Sequence, residues 1–451
     1  MTLQALSFVL TLSALVMAMV PAHAQESVLV LTHAVVITPP KLSKREEKAV
    51  TMLVDEIEKR TRLRLPIYHT LPPHDTPTIR IQKETHPTAK PEGYEIHVSL
   101  GGVIVTGNDE RGILFGIGRL LRNLRMERDS LSVATNLKVV TAPHYPLRGH
   151  QLGYRPKTNS YDAWSVPMWE QYIRDLAVFG TNAVELIPPK SDDDADSPHF
   201  PLPPMQMMVE MSRLLDDYGL DVWLWYPAME RDYSDPKTVQ ASLKEWGEVF
   251  QKLPRVDAVF VPGGDPGHTP PKVLMAFLEK EATVLRRSHP KAQMWVSPQG
   301  FTKVWMDEFL EILHKENPKW LTGIVFGPQV RLSLPRLRAA IPKQYPIRHY
   351  PDITHSRQCE YPVPNWDVAY ALTEGREGIN PRPLDQAHIF QALQKDTIGF
   401  LTYSEGCNDD VNKIVWSALG WEPNTDVEQI LKEYSRYFIS NRYTEPFAQG
   451  L

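Results

Sequence analysis

From Tyr145 onward the chain repeats one unit eight times: an apolar run of four or five residues, a loop rich in proline and polar groups, and in most repeats an amphipathic helical stretch. Parallel strands must be joined by long crossovers rather than hairpins, so this alternation predicts a parallel sheet built from βα units. The strand candidates are Leu147 to His150, Ala183 to Ile187, Val222 to Tyr226, Ala258 to Pro262, Met294 to Ser297, Gly323 to Phe326, Ile347 to Tyr350 and Gly399 to Tyr403. Helices read over Met168 to Phe179, Met205 to Tyr218, Val239 to Lys252, Pro271 to Arg287, Lys303 to His314 and Leu384 to Gln394, with closing helices at Val411 to Leu419 and Val427 to Phe438. An open sheet of this size usually carries a glycine-rich phosphate turn after its first strand, and none follows Leu147 to His150. The expectation is a closed (β/α)8 barrel over residues 142–442.

The residues ahead of the barrel divide in two. Met1 to Gln25 has no charged side chain, an apolar run covers Leu6 to Val20, and Pro21-Ala22-His23-Ala24 closes it. That is the pattern of a signal peptide, residues 1–24, with an Ala-x-Ala cleavage site, and it predicts a secreted or periplasmic protein with no membrane partner after cleavage. Residues 25–141 read as a small α+β accessory domain. It has a strand over residues 26–38 stopped by Pro39-Pro40, a helix from Ser43 to Arg60, strands at Thr78 to Gln82, Tyr94 to Ser99 and Val103 to Thr106, and a helix from Ile113 to Arg125. The predicted fold class is therefore α/β, a TIM barrel preceded by a small α+β domain.

Composition narrows the function. The 40 prolines sit beside a 42% hydrophobic fraction with 11 Trp and 17 Tyr, so they punctuate the loops of a folded protein instead of marking disorder. A net charge of -5 offers no electrostatic footprint for nucleic acid or anionic lipid. Two cysteines exclude a disulfide scaffold and a multi-cysteine zinc module.

In such a barrel the chemistry sits at the C-terminal ends of the strands. Those ends hold His150, Gln151, Tyr154 and Arg155; Lys190; Tyr226, Glu230 and Arg231; Gly263-Gly264-Asp265-Pro266-Gly267-His268; Ser297, Gln299 and Gln329; His349, Tyr350, Asp352, His355 and Arg357; and Tyr403-Ser404-Glu405-Gly406-Cys407-Asn408. Carboxylates, amides and rings mixed in this way suit a sugar, whose hydroxyls need polar partners and whose C–H face packs on aromatic rings. Glycoside hydrolysis needs a proton donor and a second group acting at the anomeric carbon. Asp265 and Glu405 are the leading catalytic pair. Glu230, Asp352, His150, Arg155, Tyr226, His268, Gln299, His349, Tyr403 and Asn408 are the candidate substrate-binding residues. Asp409-Asp410 reads as an N-cap for the last barrel helix, and Asp192 to Asp196 as a solvated loop. Cys359 and Cys407 fall in neighbouring loops of an exported protein, so they are a candidate disulfide across the mouth, with two buried free thiols as the other reading. His349, Asp352 and His355 are spaced three apart, yet the spacing is no established zinc signature, so no metal and no cofactor is expected.

Glu92-Gly-Tyr-Glu-Ile-His-Val and the run Gly107-Asn-Asp-Glu-Arg-Gly-Ile-Leu-Phe-Gly-Ile-Gly-Arg-Leu-Leu-Arg resemble the accessory domain ahead of the catalytic barrel in β-N-acetylhexosaminidases, α-glucuronidases and their relatives, glycoside hydrolase families 20, 67, 84 and 115. The resemblance implies a glycosidase, exo-acting, whose partner is a glycan or oligosaccharide. In the hexosaminidases strand four ends in two adjacent carboxylates, one polarising the substrate acetamido group and one acting as acid; here Asp265 is followed by Pro266. In the α-glucuronidases the carboxylates are separated on different strands, which Asp265 with Glu405 or Asp352 would imitate, with Arg155, Arg357 and Lys190 available to a uronate. Three readings stand: an exo-glycosidase for a uronic acid or amino sugar, a β-N-acetylhexosaminidase, and a non-catalytic glycan-binding protein.

Overall fold

The computed structural model describes residues 27–72, 76–84, 89–153, 161, 164–190, 201–354, 381–406 and 409–451. The N-terminal part contributes nine strands and two helices: β1 (Val28–Val30), β2 (Val35–Ile37), α1 (Lys44–Thr61), β3 (Ile67–Tyr68), β4 (Thr78–Lys83), β5 (Tyr94–Ser99), β6 (Gly102–Gly107), α2 (Glu110–Asn123), β7 (Arg125–Glu127), β8 (Ser130–Ala134) and β9 (Lys138–Thr141). They form a six-stranded sheet of order β3-β2-β4-β6-β5-β9 and a three-stranded sheet of order β1-β8-β7. The single strand expected over residues 26–38 is two strands in different sheets. A turn at Thr32-His33 separates β1, antiparallel to β8, from β2, parallel to β4.

The Gly107 to Gly112 motif has a packing reason. Asp109 caps α2 by accepting from the Gly112 N–H at 2.7 Å, and its other oxygen accepts from the Glu92 N–H at 2.8 Å. A Cβ on Gly112 would sit 2.3 Å from the Gly93 carbonyl, and one on Gly118 would sit 2.8 Å from the Val178 backbone. Gly112 thus lets α2 start close against the segment before β5, and Gly118 lets it lie directly against the barrel at Val178.

Eight parallel strands close the barrel: β10 (Leu147–Gln151), β11 (Ala183–Leu186), β12 (Asp221–Trp225), β13 (Ala258–Pro262), β14 (Gln293–Ser297), β15 (Gly323–Phe326), β16 (Ile347–His349) and β17 (Gly399–Thr402). β17 returns to β10 with Leu147 opposite Gly399 and His150 opposite Thr402. The interior is packed by Leu147, Trp223, Trp225, Phe260, Trp295, Val325, Tyr350 and Leu401. Set among these rings is a fully buried ion pair, Arg348 Nη2 to Glu185 Oε2 at 2.5 Å. The Arg348 guanidinium lies 4.5 Å from the Phe260 ring centre and 4.8 Å from that of Trp223. Burial pushes the Glu185 carboxyl up to about 7, with Arg348 pulling the other way.

The N-terminal module docks on the barrel end opposite the mouth. Glu92 accepts from Arg148 Nη2 at 2.6 Å, Arg111 Nη1 at 2.9 Å and Asn182 Nδ2 at 3.0 Å. Arg111 also pairs with Asp221, which Arg255 joins to Asp257. Arg148, Asn182, Asp221 and Asp257 all stand at the N-terminal edges of barrel strands. Burial alone would raise the Glu92 carboxyl, but Arg148 and Arg111 hold it below the ordinary carboxylate range. Glu92→Gln keeps the shape and removes the charge that two guanidinium groups face. It should lower unfolding free energy by about 2–3 kcal/mol, seen as a reduced urea midpoint at constant slope. An unchanged midpoint would show that the network does not clamp the module.

Candidate active site

The C-terminal ends of β16 and β17 run side by side past the sheet. The Tyr403 N–H donates to the Pro351 carbonyl at 2.7 Å and the Ile353 N–H to the Tyr403 carbonyl at 3.2 Å, so Asp352 and Tyr403 form one further bridge. Tyr350-Pro351-Asp352 and Tyr403-Ser404-Glu405 are thereby brought together. Tyr403 O–H donates to the Glu405 carboxylate, the Tyr350 and Tyr403 rings meet edge to face at 5.9 Å, and Gln151 Nε2 donates to the Tyr350 hydroxyl at 3.1 Å. Glu405 is 3% exposed and Asp352 5%.

Beneath this cluster lies a polar scaffold. The Glu405 N–H donates to Thr354 Oγ1 at 3.1 Å; Thr354 Oγ1 and Ser404 Oγ both donate to Asp409 Oδ2, at 2.8 and 2.9 Å. The helix Asp410–Trp421 supplies Lys413, whose buried ammonium donates to the Gly406 carbonyl at 2.9 Å and to the hydroxyls of Tyr161 and Tyr172 at 2.6 and 3.1 Å. All three ammonium protons are thus directed, and the loop carrying Glu405 is fixed from below. Asp409 precedes the helix as expected of an N-cap, but its side chain makes no capping bond and is spent on Thr354 and Ser404. Burial pushes its carboxyl up to about 6 against the pull of Lys413. Asp410 instead bonds the Val411 N–H at 2.7 Å and accepts from the Tyr434 hydroxyl at 2.8 Å.

Asp265 stands on the opposite rim, after β13. Its backbone carbonyl accepts from Gln299 Nε2 at 2.9 Å, and its carboxylate accepts from Gln329 Nε2. Gln299 is oriented by Ser297 Oγ, which accepts from the Gln299 N–H at 3.2 Å, and its own amide oxygen is buried with no donor among the described residues. Asp265 itself is half-exposed and so accessible to a ligand.

Three expected ligand contacts lie elsewhere. His150 points away from the mouth and bolts β10 to β17 and the helix Asp410–Trp421, with Nδ1 at 2.9 Å from Thr402 Oγ1 and Nε2 at 2.7 Å from Ser417 Oγ. Burial, reinforced by Lys413, lowers its pKa well below the ordinary range and keeps the ring neutral. His349 also turns outward, accepting at Nδ1 from Gln394 Nε2 at 2.6 Å, and burial followed by Arg348 lowers it to about 3. Tyr226 stacks on Trp246 with ring centres 3.9 Å apart, between strand and helix. Glu230 pairs with Lys190 at 2.6 Å at the surface, and His268 is exposed on the loop after β13. Arg155, His355, Arg357, Asn408, Cys359, Cys407, the Asp192 run and the leader lie outside the described residues. Among the described residues no cluster of three or more His, Cys, Asp or Glu has the arrangement of a metal site, and no helix is long and apolar enough to cross a membrane.

Residues 18–138 match the family model for glycosyl hydrolase family 20, domain 2. A search of curated proteins matched nothing. Among solved structures, the chain superposes on a family 20 β-N-acetylhexosaminidase from Streptomyces coelicolor with a TM-score of 0.64 at 14% identity, covering 94% of both chains. A mutant Streptomyces plicatus β-hexosaminidase in complex with its product GlcNAc gives 0.65 at 13% identity over 93% of both. An exo-β-N-acetylglucosaminidase from Vibrio harveyi, in complex with N-acetylglucosamine, gives 0.62 at 12% identity over 94% of this chain and 75% of the other. The barrel with an α+β module ahead of it is thus an architecture shared with family 20 enzymes.

Proposed function

We propose that the chain is an exported, exo-acting glycosidase that takes a terminal N-acetylated amino sugar at the barrel mouth. The observation carrying this reading is the pair of strand ends that sets Asp352, Tyr403 and Glu405 side by side on a fold whose similar structures hold N-acetylglucosamine. The carboxylates of Glu405 and Asp352 would accept from sugar hydroxyls, and the rings of Tyr350 and Tyr403 would take its C–H face. Asp265, half-exposed across the mouth, would act beside the reacting carbon, with Gln329 and Gln299 orienting it. Export rests on the apolar leader.

Pro266 bears on the mechanism. The position after Asp265 carries no carboxyl, so a leaving group needing a proton finds no donor there. Turnover should therefore fall steeply with leaving-group basicity: 4-nitrophenyl N-acetyl-β-glucosaminide, whose phenolate departs unprotonated, should be cleaved at least a hundredfold faster than N,N′-diacetylchitobiose. The panel includes 4-nitrophenyl β- and α-glucuronides; turnover of these alone would displace the amino sugar. Pro266 also favours one second reading, a glycan-binding protein without turnover, which N-acetylglucosamine binding with no cleavage of any aryl glycoside would establish.

A further inference from the structure

A cavity of about 170 Å3 lies where α2 and β5 of the N-terminal module meet the helices Asp410–Trp421 and Val427–Phe438, at the opposite end of the helix that braces Glu405. Arg119 and Arg122, neighbours on one face of α2, line it together with Tyr94, Gln429 and Glu433. The two guanidinium groups converge on a single carboxylate: Arg119 Nη1 is 2.8 Å from Glu433 Oε1, and Arg122 Nη1 is 2.8 Å from Oε2. Glu433 offsets one positive charge and leaves the other. The Nε of each arginine is buried with no acceptor among the described residues, and the Arg122 side chain is only 9% exposed. Such donors are costly to leave unmade. Glu422 also lines the cavity, but it is exposed at the rim with Gln429 and makes no ion pair among the described residues. Water screens its charge there far more than that of Arg122, while Arg119, 29% exposed, stands between the two.

Two guanidinium groups with one positive charge in excess, lining one open cavity between the module and the barrel, are the chemistry that recognises an oxyanion. Size limits which one. A cavity of about 150 Å3 holds a ligand of roughly six non-hydrogen atoms, so this one takes a compact anion and not a whole monosaccharide. We infer that the junction between the N-terminal module and the barrel is a binding site for a small carboxylate or phosphate, held by Arg119 and Arg122 and entered past Gln429. The site is separate from the barrel mouth, and its occupancy does not depend on the glycan reading. A ligand that binds only when module and barrel are docked stabilises the docked state by mass action.

The test is the melting temperature of the full chain, titrated in parallel with sodium acetate, inorganic phosphate and sodium chloride at matched ionic strength. A saturable rise of several degrees with acetate, phosphate or both, beyond the chloride series, is expected, and which salt works separates a carboxylate from a phosphate ligand. Arg119→Gln should abolish the rise. Gln429→Glu, which puts a carboxylate at the entrance and leaves both arginines in place, should weaken binding at least tenfold and decides the matter if Arg119→Gln does not fold. Equal rises in the wild type and Gln429→Glu, or none beyond chloride, would overturn the site.

Discussion

Glu405→Gln and Asp265→Asn are each expected to lower kcat/KM for the aryl N-acetylglucosaminide at least a hundredfold while the melting temperature stays within a degree or two. The cause is electrostatic. A buried carboxylate at a sugar site accepts hydrogen bonds from hydroxyls and faces the positive charge that develops on the sugar ring, and an amide of the same shape does neither as well. On the proposed reading Glu405 has that task, and its surroundings hold it in place. Its N–H rests on Thr354, its loop carbonyl at Gly406 on Lys413, and its carboxylate receives the Tyr403 hydroxyl, so the substitution changes the charge with little freedom for the loop to adapt. Asp265 is fixed differently, by amide donors from the loops after β14 and β15, and stands half-exposed. The stability expectation follows from the same contacts, because Tyr403 lies two residues from Glu405 and no core element loses an anchor. Wild-type rates in both variants would mean that the reacting centre is elsewhere in the molecule.

The barrel could be read from the chain because strand runs of four or five apolar residues alternating with amphipathic helices permit few other architectures. The site was legible to the level of strand ends and no further. At β10 the neighbours His150 and Gln151 are both polar, and at β16 Arg348, His349 and Tyr350 follow one another; successive side chains point to opposite faces. In a parallel barrel both faces are buried, so no hydrophobic alternation marks which face is which. Gln151 and Tyr350 face inward to the mouth, whereas His150 and His349 serve the helix packing. Lys413 is hidden in the sequence for a related reason. It sits in a buried helix whose neighbours Ile414, Val415 and Trp416 are apolar, and only the third dimension brings it to Gly406, Tyr161 and Tyr172. The division of residues 26–38 into β1 and β2 is masked by a run of β-branched residues on both sides of a two-residue turn.

A large pH effect on stability is expected from a residue outside the mouth. Glu281 occupies the buried stripe of the helix Pro271–Ser288, in line with Leu274, Leu278 and Leu285, is 0% exposed, and has neither carboxylate oxygen hydrogen-bonded among the described residues. Burial, with a smaller contribution from Glu245, pushes its carboxyl up to about 9, so the folded protein keeps it protonated where the unfolded chain ionises it near the ordinary value of 4.5. The sign follows from proton binding: above the unfolded pKa the folded state holds the extra proton, so raising the pH favours unfolding until the folded pKa is passed. The loss accumulates between about pH 5 and pH 9 and reaches ~6 kcal/mol at most, since each pH unit between the unfolded and folded pKa is worth about 1.4 kcal/mol. Glu185, Asp175 and Asp409, raised to about 7, 6 and 6, slope in the same direction, while the lowered histidines His150 and His349 slope oppositely on the acid side, below their ordinary value of 6.5, and add nothing above it. The wild-type profile alone therefore does not isolate Glu281, but the difference from Glu281→Gln does. Urea unfolding at pH 5 and pH 9 should show the variant gaining several kcal/mol on the wild type as pH rises, and Glu281→Met, which also fills the site with apolar atoms, should exceed the wild type at both. Parallel pH profiles for wild type and Glu281→Gln would show that Glu281 ionises freely in the folded protein.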